Sequence, residues 1–544
     1  MKFLPVLAAA AAIADPQPAP WAERLAFWGG AELRQTDARL TQIDAELSGL
    51  AYPALVNSST RIGLKTGYTT EEDVRWLELE LPKAAVADTL VFVPPLAKAA
   101  TAVVQGYGFP VRFKVEVFDD SDQPHTVLDH TGEEFPNPGC YPVVARFEPR
   151  PVRRARLTAT EPWIADGPEV LAMAEVYLLS GIQNLALKAK VNSSSSRNAP
   201  RAWTRANLID MITPLGLPAA PQEGGPPGFH SAVSDKADAV KWLALELPEP
   251  VPLDEIRLIP VRRPEVPLWF DYGFPVLYKV EAATRADFSD AVTLHEVTDR
   301  LTSLPGMNPV CIPCGQTLAR YLRVTATQLW YRRGDYVFAL AEFQAYHQGR
   351  NVALEGSFTA SDTLSGEEGA DWSLDALKDG LTGQSRLLEL PEWFDQLTRH
   401  QQLSAERGGL VSRRTTLVQQ AERRLVQGSV GSAGMITLIS LGLLWRQRHQ
   451  RRRDAEKIRE RLARDLHDEI GSNLGSITLI CSMASQPGGS LDSLRGDLAE
   501  IGRVAEESAD SMRDIIRIIQ PQAGAASPDW ISVLESLTER LLRS

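Results

Sequence analysis

Cysteine is scarce in this chain, and so are glycine-rich loops that bind phosphate. Only four of the 544 residues are cysteine, which excludes a small scaffold held together mainly by disulfides. No glycine-rich phosphate loop occurs anywhere in the sequence, so the usual cradle for a nucleotide is missing. An excess of basic residues is also missing, with 57 Lys and Arg against 69 Asp and Glu. This acidic balance argues against a nucleic-acid-binding surface.

The chain is nevertheless long and apolar enough to fold into several domains. It has 544 residues, of which 44% are hydrophobic, a composition that excludes a disordered protein. At about 150 residues per domain, this length predicts roughly three or four domains. We therefore expect a multidomain protein in which each part has its own core.

Long hydrophobic runs are rare, and one uncharged run stands out at residues 428–445 (GSVGSAGMITLISLGLLW). Its length lies at the short end of the membrane-spanning range. Arg446, Arg448 and residues 451–453, all arginine, follow at once, and such clusters mark the cytoplasmic side. We therefore expect a single-pass inner-membrane protein with an exported N-terminal part and a cytoplasmic C-terminal part. The alternative is a buried core helix.

The N-terminus agrees with export. Lys2 precedes the apolar residues 3–13, and small residues surround position 14, a pattern that resembles a short signal peptide at residues 1–14. If it is not cleaved, this segment would be a second, short anchor.

The exported part is predicted to contain an internal repeat. VRWLELELP at residues 74–82 recurs as VKWLALELP at residues 240–248, and YGFPV at residues 107–111 recurs at residues 272–276. The offset stays near about 167 residues along both copies. Each copy alternates apolar and polar residues in short runs broken by Pro, Gly, Asn and Asp, which predicts two antiparallel, jelly-roll-like β-sandwiches.

Two segments resemble the openings of discoidin-type, galactose-binding-like jelly rolls. They begin with NLAL at residues 184–187 and NVAL at residues 351–354. The resemblance implies a carbohydrate or another small extracytoplasmic ligand bound by loops at one end of a sandwich. Candidate ligand contacts are the aromatic residues outside strands, Trp269, Phe270 and Tyr331. Packing is the expected role of the aromatic residues inside strand-like runs, which are Trp76, Phe109, Trp242 and Phe274.

The cysteines predict a structural role and no metal site. Cys140 and Cys311 occupy the same position in the two repeats, and Cys314 is added in the second. Export permits a disulfide, either between Cys311 and Cys314 or between one of them and Cys140. Two nearby cysteines without further ligands make a poor zinc site. Cys481 lies on an apolar stripe and is expected in a core.

Two amphipathic helices are predicted after the arginine cluster. Apolar residues recur every three or four positions from Ile458 to Cys481, and again from Ile501 to Ile519. The two helices read as a hairpin whose exposed stripe favours pairing into a dimeric four-helix bundle. His467 lies just off the first stripe beside Asp468, and an imidazole next to a carboxylate can accept a phosphoryl group.

These residues resemble a known family. RDLHDEIG at residues 464–471 and MRDIIRIIQP at residues 512–521 look like the dimerisation and phosphoacceptor hairpin of sensor histidine kinases, in the subfamily of nitrate sensors and the membrane-fluidity sensor of bacilli. The resemblance implies that His467 is autophosphorylated, that Asp468 acts as acid or base, and that a response regulator receives the phosphoryl group. The alternatives are a surface histidine on a coiled-coil helix, and an Asp468 that simply pairs with Arg464.

The sequence departs from that family in two ways. Many members carry a glutamine five positions after the histidine, where this chain has Ser472 followed by Asn473, so phosphatase activity is in doubt. No kinase-type asparagine box is present, and residues 523–544 resemble only the first helix of an ATP-binding domain. We expect a truncated protein histidine kinase whose ATP and Mg²⁺ are bound by a domain absent from this chain. The rival hypothesis is a non-enzymatic membrane receptor or carbohydrate-binding, adhesion-like protein dimerised by its hairpin.

These predictions combine into one domain layout. In chain order we expect a signal peptide at 1–14, an N-terminal helical segment at 15–50, sandwiches at 51–182 and 183–348, a partial third repeat with a juxtamembrane helix at 349–427, a transmembrane helix at 428–445, the phosphoacceptor hairpin at 446–522, and the start of an ATP-binding domain at 523–544.

Overall fold

A computed structural model of the chain describes most of its residues. The described residues are 30–55, 61–67, 74–99, 102–164, 169–196, 199, 201–222, 224–262, 271–300, 304–366, 371–383, 385–485 and 491–519. They fall into two compact units, Met1–Gln419 and Gln420–Ser544. The predicted signal peptide and the predicted start of an ATP-binding domain lie outside the described residues.

The first repeat folds into a seven-stranded antiparallel sheet that bends around its own core. Its strands run in the order β12-β11-β2-β7-β5-β6, and β13 also pairs with β2. The register of β2 against β7 shifts between Glu80 and Ala85, where Pro82 cannot donate a ladder hydrogen bond. Both halves of β2 therefore face one core, with Leu79 and Leu90 in the same cluster. The strands are β1 Leu64–Lys65, β2 Arg75–Val93, β3 Leu96–Ala99, β4 Ala102–Gln105, β5 Arg112–Phe118, β6 Pro124–His130, β7 Val143–Glu161, β8 Trp163–Ile164, β9 Glu169–Val170, β10 Ala172–Met173, β11 Glu175–Ser180, β12 Gln183–Asn184 and β13 Lys190–Ser193.

The second repeat has the same topology, which confirms the two predicted sandwiches. Its sheet runs β24-β23-β16-β19-β17-β18, with β25 also paired to β16. The equivalent register shift lies between Glu246 and Val251, around Pro248 and Pro250. The strands are β14 Ala219–Pro221, β15 Phe229–His230, β16 Lys241–Ile259, β17 Leu277–Ala283, β18 Val292–Val297, β19 Val310–Gln328, β20 Trp330–Tyr331, β21 Tyr336–Val337, β22 Ala339–Leu340, β23 Glu342–His347, β24 Arg350–Asn351, β25 Ser357–Ala360 and β26 Ser385–Leu387.

The segments predicted to open further modules instead complete the sandwiches before them. The Asn184 and Asn351 side chains accept hydrogen bonds from Ala186 N and Ala353 N and so cap short 3-10 turns. β13 then pairs with the first half of β2, and β25 pairs with the first half of β16. Each added strand satisfies an edge that is otherwise unpaired. The predicted boundaries after residues 182 and 348 therefore fall inside sandwiches, and the idea of a partial third repeat is wrong.

In the part of the chain that the structure describes, four 3-10 turns accompany the two sheets. The first follows β12, and the second lies in the loop after β13. The third follows β24, and the fourth lies in the loop before β26. Their bounds are Leu185–Lys188, Ala206–Leu208, Val352–Glu355 and Asp375–Lys378.

A helix before the first sandwich packs along the helix that follows the second. The first, α1, spans Ala31–Gly49 and buries Leu33, Thr36 and Ile43, a spacing that fits a heptad seam. The second, α2, spans Leu390–Ala484. Ion pairs between described residues join them, and because residue numbers rise on one helix as they fall on the other, the helices are antiparallel. The pairs are Glu32–Arg413, Asp37–Arg414, Arg39–Glu406, Asp44–Arg407 and Glu46–Arg399.

The helix α2 is long because nothing in its sequence interrupts it. Pro391 lies in its first turn, where a missing N–H costs nothing, and the next proline is Pro487. The helix α3 spans Leu491–Ile519. These two helices agree with the predicted hairpin elements.

Candidate functional site

His467 and Asp468 lie side by side on α2, and both side chains are exposed. The face of α2 that is half-buried passes through Ile470, Asn473 and Ile477, at helical spacings of three and four. His467 is accessible from solvent within this chain. Among the described residues, Arg464 and Asp468 form no ion pair, so the structure does not support the alternative that Asp468 simply pairs with Arg464.

The helix α3 has a matching inner face. Its half-buried and buried residues recur with heptad spacing, and Val504 is the most buried of them, at 9% exposure. The members of this face are Asp497, Ile501, Val504, Ser508 and Ser511. Both helices of the hairpin thus present one inward side each.

Part of the predicted apolar stripe on α2 is exposed within a single chain. Ile470 and Ile477 are half-buried, but Ile458 and Leu474 are more than half exposed. Cys481 is exposed as well, so the expectation that it lies in a core is not met within this chain. The two residues at the phosphatase position differ, because Ser472 is exposed and Asn473 belongs to the half-buried face.

Residues 428–445 contribute apolar side chains on all sides of α2. Met435, Leu438 and Trp445 are 65%, 72% and 70% exposed, and within the part of the chain that the structure describes nothing covers them. Of the helices described, α2 alone is long and apolar enough to cross a membrane. Length and composition therefore agree with a single-pass membrane protein.

Of the three predicted aromatic ligand contacts, Tyr331 lies among the described residues. Trp269 and Phe270 lie outside the described residues, so they stay predictions. Tyr331 is exposed at the end of β20, with its ring centroid 5.5 Å from that of Tyr336. Phe109 and Phe274 are buried in the two cores, as predicted.

Each sandwich instead holds an aromatic cluster at the same repeat position, which the sequence analysis did not find. In the first, Tyr107 packs against Trp163 and Trp203 at centroid distances of 5.0 and 6.1 Å. In the second, Tyr272 packs against Trp330 and Trp372 at 5.4 and 6.1 Å. Trp163 and Trp330 occupy the same position in the two repeats, and this match was the sequence feature that could have indicated the clusters. Because the rings cover one another, these clusters stabilise loops rather than present an open platform.

The described cysteines form no disulfide. Cys311 and Cys314 lie on opposite faces of β19, since Cys311 packs against one hydrophobic cluster and Cys314 lies in another. All four thiols are free, and Cys140 and Cys314 are buried. Burial raises the pKa of Cys140 to about 11 and that of Cys314 to about 12, so neither is a ready nucleophile. Among the described residues, no three His, Cys, Asp or Glu side chains are grouped to hold a metal.

Residues 459–524 match the histidine kinase family model HisKA_3. This segment is similar to the histidine kinase family. The match includes His467 and Asp468 and runs through the described part of α3, which confirms the predicted family resemblance for this part of the chain. Among curated proteins, no significant match to the chain is found.

Several solved structures resemble the N-terminal part. CpGH89CBM32-5 from Clostridium perfringens, in complex with GalNAc-β-1,3-galactose, is 14% identical, with a TM-score of 0.16, covering 20% of this chain and 68% of that one. A fucolectin from Morone saxatilis serum is 12% identical, with a TM-score of 0.17 and coverages of 55% and 91%. The CBM32-1 and CBM32-2 domains of Clostridium perfringens ZmpB, in complex with GalNAc, are 10% identical, with a TM-score of 0.17 and coverages of 55% and 88%. At TM-scores this low, the likenesses carry no argument about ligands.

Proposed function

We propose that this chain is the sensor and phosphoacceptor part of a membrane-bound histidine kinase in a two-component phosphorelay. His467 accepts the phosphoryl group, and a response regulator receives it next. The observation that carries the proposal is the exposed pair His467 and Asp468 inside the segment that matches the histidine kinase family.

The proposed reaction has a balanced course. A neutral imidazole nitrogen of His467 attacks the γ-phosphorus of ATP, an N–P bond forms, and the bond from phosphorus to the leaving ADP oxygen breaks. The proton on the other ring nitrogen passes to the carboxylate of Asp468, the next residue on α2. ATP and Mg²⁺ are held by an ATP-binding domain outside this sequence. The response regulator then takes the phosphoryl group onto its own carboxylate.

The proposed topology separates sensor from phosphoacceptor. Residues 428–445 cross the inner membrane, since their apolar side chains are exposed on all sides and lipid is the natural cover for them. The arginines at 446, 448 and 451–453 hold the following segment in the cytoplasm. Alkaline phosphatase fused after Trp445 should be inactive, and fused after Leu388 it should be active. The reverse pattern would refute this orientation.

The decisive test uses the full chain in lipid nanodiscs with radiolabelled ATP and an ATP-binding domain from a kinase of the same family. We expect acid-labile, base-stable label on the chain and none on His467→Gln. We expect Asp468→Asn to slow labelling by about 10²-fold or more, because an acid–base group contributes roughly that factor.

Asp465→Asn is the matched control, because Asp465 is also exposed on α2 two residues from the histidine. It should label at nearly the wild-type rate. Label that survives His467→Gln would exclude the phosphoacceptor role and favour a receptor that the hairpin merely dimerises.

A further inference from the structure

A cavity of about 280 Å³ lies against the outer face of the second sheet, within the first compact unit. Its floor is formed by alternate residues of the neighbouring strands β16 and β23. Its opposite wall is the segment that leads into α2, including Lys378 and residues 386–389. Small-molecule sites are concavities of about this size or larger.

The floor is an ordered ladder of buried polar side chains. Glu255 faces Tyr346 and Arg257 faces Gln344 across the two strands. Arg257 Nε donates to Glu255 Oε1 at 2.6 Å, Tyr346 Oη donates to Gln344 Oε1 at 3.1 Å, and Gln344 Nε2 donates to Glu342 Oε1 at 2.9 Å. The ladder therefore ends at Glu342.

Glu342 ends the ladder with one oxygen unsatisfied. Its side chain lines the cavity and the residue is only 1% exposed. The backbone N–H of Gly380 lies close enough to the carboxyl to favour its charged form, but no hydrogen bond of regular geometry from the described residues reaches Oε2. Burial raises the pKa of this carboxyl to about 7, with Asp379 and Glu389 adding like charge. A buried acceptor left without a donor is costly, and a ligand that donates to it recovers that cost.

The other charges at the cavity leave an excess of negative charge. Arg257 is already neutralised by Glu255, and Arg386 is neutralised by Glu392 at 2.6 Å. Lys378 is the remaining cation among the lining residues, and its Nζ donates to Gly356 O at 2.7 Å. It stands against three carboxyl groups, those of Glu342, Asp379 and Glu389. The cavity therefore favours a cation over an anion.

The same face of the first sandwich has no such ladder. There the strands β2 and β11 present Val91, Val93 and Tyr177, and these residues pack in one hydrophobic cluster with Trp393 and Phe394 of α2. One repeat thus seals this face against the beginning of α2, and the other keeps it polar and hollow beside Leu388, Glu389 and Glu392. Two copies of one module have diverged at this face.

We propose that the cavity binds a small organic cation bearing an ammonium group, which donates to Glu342 and lies beside the first turn of α2. Binding does not depend on the phosphoryl-transfer function proposed above; only its transmission to His467 would. The ligand makes direct contact with the residues that begin the helix leading to the histidine kinase segment.

The test is calorimetric titration of the full chain in nanodiscs with putrescine, using 1,4-butanediol as the neutral analogue of the same length. We expect putrescine to bind and the diol not to bind. Glu342→Gln keeps the shape of the side chain but not its charge, and it should weaken putrescine binding at least tenfold. Glu406→Gln, an exposed carboxylate on α2 outside the cavity, should bind as the wild type does.

A second variant and a pH series also test the proposal. Should Glu342→Gln fail to fold, Glu389→Gln at the rim should weaken binding severalfold. Between pH 6 and 8 the wild type should bind putrescine more tightly, by up to roughly tenfold, as Glu342 ionises among Arg257, Lys378, Asp379 and Glu389. Absence of putrescine binding, equal binding of the diol, or undiminished binding by Glu342→Gln would each overturn the proposal. None of these outcomes depends on whether His467 is phosphorylated.

Discussion

Glu342 and Glu175 begin equivalent strands of the two sheets, and both are buried with a raised carboxyl pKa. Glu175 accepts a hydrogen bond from Met211 N at 3.0 Å and lies under a sealed apolar cluster. Glu342 faces a cavity instead. In both residues Oε2 accepts no hydrogen bond of regular geometry from the described residues. The two repeats therefore differ in that Glu342 can be reached from a cavity whereas Glu175 is covered, and this difference comes from the neighbouring residues.

A pH-dependent penalty follows for Glu342 at the residue scale. The pKa of Glu342 is about 7 in the folded protein and near 4.5 in the unfolded chain. The carboxyl therefore makes its full contribution to stability below pH 4.5, and this contribution is lost as the pH rises through 7. At about 1.4 kcal/mol per pKa unit, the free energy of unfolding of Glu342→Gln should rise by about 3 kcal/mol relative to that of the wild type between pH 4.5 and 8. Thermal unfolding across that range checks this, with the exposed Glu249→Gln as a control that should show no such slope.

At the element scale, the pairing of α1 with α2 ties the helix before the first sandwich to the helix that follows the second. Its seam buries Leu33 and Ile43 on one helix and Leu403 on the other. The flanking ion pairs are exposed, and such pairs add little stability but fix register and direction. The apolar seam should therefore determine the stability of the helix pair, and the charges should determine its register and its antiparallel direction.

Truncating that seam gives the element-scale prediction. Ile43→Ala removes a fully buried side chain and should cost about 2–5 kcal/mol, seen as faster amide exchange in α1 and in the part of α2 from Arg399 to Arg413. Glu46→Lys should loosen the same helices less, and Arg399→Glu added to it should restore the wild-type exchange. If the single and double charge variants exchange alike, the ion pair sets no register.

The helices were easier to predict from the sequence than the segments against which they pack. The heptad spacing of α1 and the polar run after Trp393 both indicate helices, but nothing local to either says that Glu32 meets Arg413 across the chain. The segments at Asn184 and Asn351 were misread for a similar reason. Their capped turns are visible in the sequence, whereas the open strand edges that they complete exist only in the folded sheet.

At the scale of the whole molecule, the repeat made the two sandwiches predictable, because a constant offset implies one topology used twice. The Glu342 cavity was not predictable, since it arises from a sheet face, a loop and a helix start that are distant in sequence. His467 could be named from the sequence as a candidate phosphoacceptor because its motif is contiguous. Local chemistry is readable in a sequence, and sites assembled from several elements are not.

The hairpin makes a prediction about the assembled molecule. Leu474 and Cys481 are seven residues apart and continue the half-buried face of Ile470 and Ile477, yet both are exposed in one chain. A second copy that supplies the same face would bury them in a four-helix bundle. Leu474→Glu places a charge in that seam and should convert a dimer into monomers, because an unpaired buried charge is costly.

Light scattering of the chain in nanodiscs or detergent measures this, with mass corrected for lipid. Ser476→Glu is the matched control, since Ser476 is exposed on the opposite side of α2 and its charge would remain in water. We expect the Ser476 variant to stay dimeric and the Leu474 variant to be monomeric at the same concentration. A dimer that persists in Leu474→Glu would mean that the copies associate elsewhere, and the exposed stripe would then need a different partner.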